Sequence, residues 1–217
     1  MNNVVEEYKF FKNINAVLDI ARFPVNENAT STDPRLIINA LEEFGNRYKA
    51  IFQKINPDLD IKEYFNIQID YQSANGIKGR EIEIHEFWGE GYDITNNTVN
   101  LFEYSKNCMS TSVDSGLAHA LLDPPYCLKR PPSVPSKISI ERKDPERKWM
   151  TDLVNRFNNE VLKIDVNSSL NHIIIEEWPT NWSNYFDAGN EWWGSFLWSV
   201  LDKKNKWVTV IGASTTD

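Results

Sequence analysis

The sequence predicts an α+β protein, with a mainly antiparallel sheet and helices packed on one face. Three observations predict it. Strand-like segments run in blocks and do not alternate with helices, which argues against a parallel βαβ core. Helical stripes are confined to a few stretches. The chain closes on a hairpin pattern near its end.

The elements follow in order. Val4, Tyr8, Phe11, Ile14, Val17, Leu18 and Ala21 recur at helical spacing, and Phe23-Pro24 stops the stripe. A polar loop, VNENATST, comes next. Asp33-Pro34 then opens a second helix. The Asp side chain can accept from free first-turn amides, and Pro suits the first helical position. Ile37, Leu41, Phe44, Tyr48, Ile51 and Phe52 form its stripe, with Glu43 and Arg47 as a surface pair one turn apart.

Residues 66–104 read as strands with loops between them. NIQIDY, EIEIHEFW and NTVNLFEYS alternate apolar and polar residues, and SANG at 73–76 joins the first two. Leu117–Leu122 is a short helix or strand. Residues 123–137 hold five of the ten prolines and predict an extended connection. KISIER at 137–142 reads as a strand. Asp144-Pro145-Glu146 opens a helix with the stripe Met150, Leu153, Val154, Phe157, Val161 and Ile164. NHIIIEEW holds a short strand covered on both faces. SFLWSVL and WVTVIG, joined by DKKNK, form the final hairpin. The chain reads as a single domain over 1–217, helical over about 1–55 and sheet-containing over about 62–217.

The totals exclude several functions. A formal charge of −8 and a pI near 5.0 oppose nucleic-acid binding, because an acidic surface repels phosphates. No stretch approaches the eighteen apolar residues a membrane helix needs, so no membrane association is expected. The first residues, MNNVVEEYKFFKN, lack a basic and then apolar leader pattern, so the cytoplasm is the expected location. Cys108 and Cys127 read as free thiols, and no CxxC or Cys/His cluster suggests zinc. Glu81, Glu83, His85 and Phe87 would share one face of a strand. A carboxylate and an imidazole two residues apart could hold a metal, but the plain reading is a solvated face. No metal and no cofactor are expected.

Asp123-Pro124-Pro125-Tyr126 resembles the D/N-P-P-Y/F/W segment that ends a strand and grips the exocyclic amine in amino-group DNA and RNA methyltransferases. Phe87-Trp88-Gly89-Glu90-Gly91 resembles their F-x-G-x-G cofactor loop. Together they would imply adenosylmethionine and methyl transfer. The spacing opposes this. Only 31 residues lie between Gly91 and Asp123. Two further strands with crossovers belong there, and one βαβ unit takes about thirty residues. DPPY is therefore read as a proline-fixed exit from a secondary element.

The most unusual segment runs from 176 to 193. It combines Trp178, Trp182, Tyr185, Phe186, Trp192 and Trp193 with Glu176, Glu177, Asp187, Asn190 and Glu191. The aromatics could cap the core, form a hot-spot patch for a protein, or stack sugar rings beside an acid–base pair. Trp178, Trp182, Tyr185, Asn190, Trp192 and Trp193 are the expected binding residues. Asp187 and Glu191 are the carboxylates to test first for catalysis. The favoured function is a small acidic, non-catalytic protein-interaction module, of the general type of bacterial toxin-immunity proteins, with a basic protein as the expected partner. The alternative is a hydrolase, or a small-ligand- or carbohydrate-binding enzyme, that uses the aromatic and carboxylate loop 176–193.

Overall fold

The computed structural model describes residues 16–58, 66–100, 102–105, 108–110, 115–125, 143–166, 168–190 and 193–214. The fold is α+β, with a five-stranded antiparallel sheet. The described chain forms two compact units. The first includes Asp19–Glu81 and Ile173–Thr215, and the second includes Ile82–His172.

The sheet of the first unit has the order β1-β9-β8-β7-β2. Its strands are β1 (Leu18–Pro24), β2 (Arg80–Ile82), β7 (Ile173–Glu177), β8 (Ser195–Asp202) and β9 (Trp207–Ser214). The predicted hairpin is β8–β9, in register from Ser195↔Ser214 to Asp202↔Trp207. Asp202 closes the turn, accepting from the amides of Lys204 and Asn205 at 3.0 and 2.9 Å. β7 runs antiparallel to β8 and pairs Ile175 with Val200. Ile20, Ile175, Trp198, Val200 and Ile211 are buried on one set of alternate positions, and Leu197, Leu201, Val208 and Val210 on the other. Both faces of the central strands are thus dry.

Helix α1 (Pro34–Ile55) is the helix read from Asp33-Pro34. The Asp33 side chain accepts from the Arg35 amide at 3.0 Å, and the Asn56 amide donates to the Phe52 carbonyl at 2.8 Å. Ile37, Leu41 and Phe44 are fully buried and join one apolar cluster with Trp178, Trp182, Phe186 and strands β8 and β9. Leu18–Pro24, the first part of which was read as the end of a helix, is a strand instead. Leu18 through Ala21 are all buried. A strand covered on both faces shows no alternation, and Val17, Leu18 and Ala21 then mimic a helical stripe. The rest of that stripe, from Val4 to Ile14, lies outside the described residues.

The region 66–104 departs most from expectation. Ile69 makes one bridge, to Ser183. Tyr71–Ala74 is a one-turn helix, α2, with the Asp70 side chain accepting from the amides of Gln72 and Ser73. SANG therefore ends a helix and does not join two strands. EIEIHEFW splits between β2 and helix α3 (Ile84–Trp88). Glu81, Glu83, His85 and Phe87 consequently share no strand face.

The second unit holds α3, the short pairs β3 (Tyr92–Asp93) with β4 (Thr98–Val99) and β5 (Phe102–Ser105) with β6 (Cys108–Ser110), and helices α4 (Gly116–Leu122) and α5 (Lys143–Arg156). The α5 stripe read from sequence is buried throughout, and it continues through a π-helical turn at Phe157–Leu162. Lys163, in the left-handed region at φ 58°, ends that turn, and the Ile164 amide donates to the Asn158 carbonyl. KISIER and the proline-rich stretch beyond Pro125 lie outside the described residues, as does Cys127.

Candidate functional site

The aromatic segment turns inward. It leaves β7, passes a 3-10 turn at Asn184–Phe186 and a one-turn helix α6 (Asp187–Asn190), and enters β8. Trp178, Trp182, Phe186 and Trp193 are all buried. Their polar edges find partners inside the protein. The Trp178 indole donates to Ser199 Oγ at 2.9 Å, and the Trp182 indole to the Pro179 carbonyl at 2.6 Å. Phe186 meets Tyr185 edge-on at 4.9 Å and Trp182 at 6.2 Å. These rings fill the core of the first unit, each removing a large apolar area from water. As placed, Trp178, Trp182 and Trp193 offer no ring face to a ligand. Asp187 and Asn190 are exposed, while Glu191 and Trp192 lie outside the described residues.

Two buried carboxylates organise the same unit. Glu176 Oε2 accepts from the Thr32 amide at 2.9 Å and from Ser199 Oγ at 3.3 Å. Ser199 Oγ also lies 2.8 Å from Thr32 Oγ1 and receives the Trp178 indole. This pins the loop before α1 to the sheet. The other carboxylate is Asp19, on β1. Tyr48 and Tyr185 each donate to its Oδ2 at 2.8 Å, and Arg47 forms an ion pair with its Oδ1. Arg47, read as a surface partner of Glu43, thus reaches a carboxylate whose side chain is only 3% exposed. Three partners are what a buried charge needs to persist. Burial, reinforced by Tyr48, holds the Tyr185 hydroxyl well above the ordinary phenol value, with Arg47 pulling the other way. Burial also raises Tyr48, again opposed by Arg47.

Among the large apolar side chains that the first unit leaves exposed, Tyr71 and Trp207 stand elsewhere and three cluster at the far end of α1. Ile37, Leu41, Phe44, Tyr48, Ile51 and Ile55 follow one another at alternating steps of four and three residues. That is the spacing of one face of an amphipathic helix. Its first three members are fully buried. Tyr48 is 39% exposed, Ile51 43% and Ile55 69%. One stripe therefore runs off the end of the core. The edge of this exposed end carries Arg47 and Lys54, each one residue before a stripe position. Tyr48 is held in place, because its hydroxyl donates to the buried Asp19 although the residue is partly exposed.

The motif residues have structural partners. Gly89 caps α3 at φ 70°, and Gly116 opens α4 at φ 79°. A Cβ on Gly89 would lie 2.7 Å from the Ser115 carbonyl oxygen, and one on Gly116 would lie 2.7 Å from the Gly89 backbone. The glycine of FWGEG serves one backbone passing against another. Asp123 caps the C-terminus of α4, so DPP follows a helix and not a strand, and Tyr126 lies outside the described residues. His119 is buried with Nδ1 3.7 Å from Asp123 Oδ2. Among the described residues, no group of three His, Cys, Asp or Glu could hold a metal ion. No described helix is long and apolar enough to cross a membrane.

Sequence reading missed Asp19, Thr32 and Ser199. Asp19 carried one signal, a charge inside the apolar run VLDIA. Its partners stand 28 or more positions away, which no local pattern reports. No family model matches the chain, and no curated protein or solved structure matches it.

Proposed function

We propose that this chain is a non-catalytic protein-interaction module, small and acidic in the manner of toxin-immunity proteins, and that it engages its partner through the exposed end of α1. The observation that carries this reading is the rise in exposure along one helical stripe, from Phe44 at 0% to Ile55 at 69%. Exposed Tyr and Ile side chains in a row, on a helix anchored by its other half, have the composition of an interface centre. Tyr48 adds pre-organisation. A ring already fixed by Asp19 loses little freedom on binding. The cytoplasm fits such a role and remains part of the proposal.

The carbohydrate or hydrolase alternative needs aromatic faces beside a carboxylate pair. Trp178, Trp182 and Trp193 are buried, which favours interaction over that chemistry.

The test compares the wild-type chain with the double variant Ile51→Glu, Ile55→Glu. Each is used as bait in extract from the source cells. A stoichiometric partner held by the wild type and lost by the double variant, with equal melting temperatures, supports the reading. A partner retained equally by both baits sinks it.

A further inference from the structure

We propose that Asn75 is a site of spontaneous covalent modification, deamidation to aspartate and isoaspartate, and that the opening of α2 sets its rate. The inference stands apart from the interaction reading above. Asn75-Gly76 is the one Asn-Gly pair in the 217 residues. Glycine matters because it has no Cβ to hinder the approach of its own nitrogen to the side chain before it. In the first step the Gly76 nitrogen bonds to Asn75 Cγ and gives up its proton. The Cγ–Nδ2 bond breaks and ammonia leaves. One water then opens the resulting succinimide ring. Addition at Cγ leaves aspartate. Addition at the backbone carbonyl carbon leaves isoaspartate, whose main chain runs through the side-chain methylene. Nothing is oxidised or reduced, and water is the sole co-reactant.

The surroundings admit this chemistry and restrain it. Asn75 and Gly76 are both exposed. Space around Gly76 is open: a Cβ built there would meet the Ser73 carbonyl oxygen at 3.7 Å, an ordinary contact. The restraint comes from α2. Asn75 continues its helical path at φ −65° and ψ −17°. The Asn75 amide donates to the Tyr71 carbonyl at 3.0 Å, and the Gly76 amide to the Ser73 carbonyl at 3.2 Å. An engaged N–H is a poor nucleophile, so the turn must open before the ring can close. A helix of one turn has little cooperativity with which to resist opening. Its cap holds it. Asp70 Oδ1 accepts from the Gln72 and Ser73 amides at 3.0 and 3.2 Å, and Oδ2 from the Ser73 hydroxyl at 2.6 Å. Asp70 is thus a positioning residue that keeps the reaction slow.

The change reaches the core. Ala74 and Ile77 flank the pair, and both are buried members of the apolar cluster of the first unit. Isoaspartate lengthens the main chain between these two anchors by one atom, so one of them must shift. It also disturbs the turn that carries Tyr71, whose hydroxyl donates to Glu42 of α1 at 2.6 Å.

The experiment incubates the full chain at neutral and mildly alkaline pH and follows the peptide containing Asn75 by chromatography and mass spectrometry. Two products should appear, each heavier than the parent by about 1 Da, with isoaspartate the larger. The rate should rise with pH, because the attacking nitrogen must lose its proton. Asn26, Asn28 and Asn39, all exposed and none followed by glycine, are the internal reference. Asn75 should convert at least about tenfold faster than each of them, and Gly76→Ala should remove at least about tenfold of its rate. The open space at Gly76 accommodates that alanine. Asp70→Ala should speed conversion at least about threefold through loss of the cap. Ser73→Ala, which removes only the hydroxyl bond, should speed it less, and it carries the same comparison if Asp70→Ala fails to fold. The wild type in urea sets the upper limit. Asn75 converting no faster than the reference asparagines overturns the inference, as does a wild-type rate in Gly76→Ala. Equal rates for the wild type in buffer and in urea would overturn the control by α2. The isolated isoaspartate form should melt below the parent, and an equal melting temperature would overturn the strain between Ala74 and Ile77.

Discussion

Tyr185 and Asp19 meet at 2.8 Å, hydroxyl to Oδ2, although 166 positions separate them in the chain. The same oxygen receives Tyr48 from α1, and Arg47 holds the other. Three elements, β1, α1 and the aromatic segment, are fastened at one carboxylate. Removing the carboxylate leaves a partly buried guanidinium and two hydroxyls without their shared acceptor. Asp19→Ala should therefore cost about 3–5 kcal/mol. Tyr185→Phe removes one donor and leaves two partners, and should cost about 1.5–3 kcal/mol, the range for a hydrogen bond to a charged group. Urea unfolding of the two variants checks the order, and equal losses would contradict it.

The same tyrosines set an alkaline limit. Their hydroxyls have raised pKa values in the folded chain, above the ordinary 10.0. A folded state that holds a proton more tightly than the unfolded state gains stability from it. That gain is complete below the unfolded value and is lost as pH rises through the folded one. The tyrosines' contribution to stability should be flat on the acid side of about 10 and fall above it. Tyrosinate absorbance near 295 nm should show Tyr48 and Tyr185 ionising at higher pH than in the unfolded chain. The variant Tyr48→Phe with Tyr185→Phe should start less stable and lose less between neutral and alkaline pH.

Gly89 and Gly116 supply a test of the motif resemblance. Each sits at positive φ with its missing Cβ facing the other's backbone. Gly89→Ala should lose about 1–3 kcal/mol from backbone strain, and more if α3 and α4 cannot part. Gly116→Ala should behave alike. Because both act on one contact, the double variant should fall short of the sum. Thermal melts decide this. Full additivity would place the two glycines in separate roles. Adenosylmethionine at millimolar concentration should leave the wild-type melting temperature unchanged.

The two ends of the α1 stripe should respond in opposite ways. Leu41→Ala, at 0% exposure, should cost about 2–5 kcal/mol through the cavity it leaves. Ile55→Glu, at 69% exposure, should change stability by less than about 0.5 kcal/mol. A large loss at residue 55 in the isolated chain would mean that this end of the stripe is already covered.

The sequence by itself determined the elements whose signals are local. Asp33-Pro34 and a regular stripe sufficed for α1, and two apolar runs joined by the turn DKKNK sufficed for the β8–β9 hairpin. The α5 stripe, from Met150 to Ile164, was legible in the same way. These patterns arise from the repeat of helix and strand, which any short window displays. Tertiary structure decided the rest. Whether Leu18–Ala21 is strand or helix depended on a second covering face, since burial on both sides erases alternation. Whether Trp178 and Trp182 serve the core or a partner depended on Ser199, Pro179 and the underside of α1. The sequence wrote one stripe from Ile37 to Phe52 without a break. Only the extent of the packed core decided that it is interior up to Phe44 and surface from Tyr48 on, because burial belongs to what surrounds a residue and not to the residue.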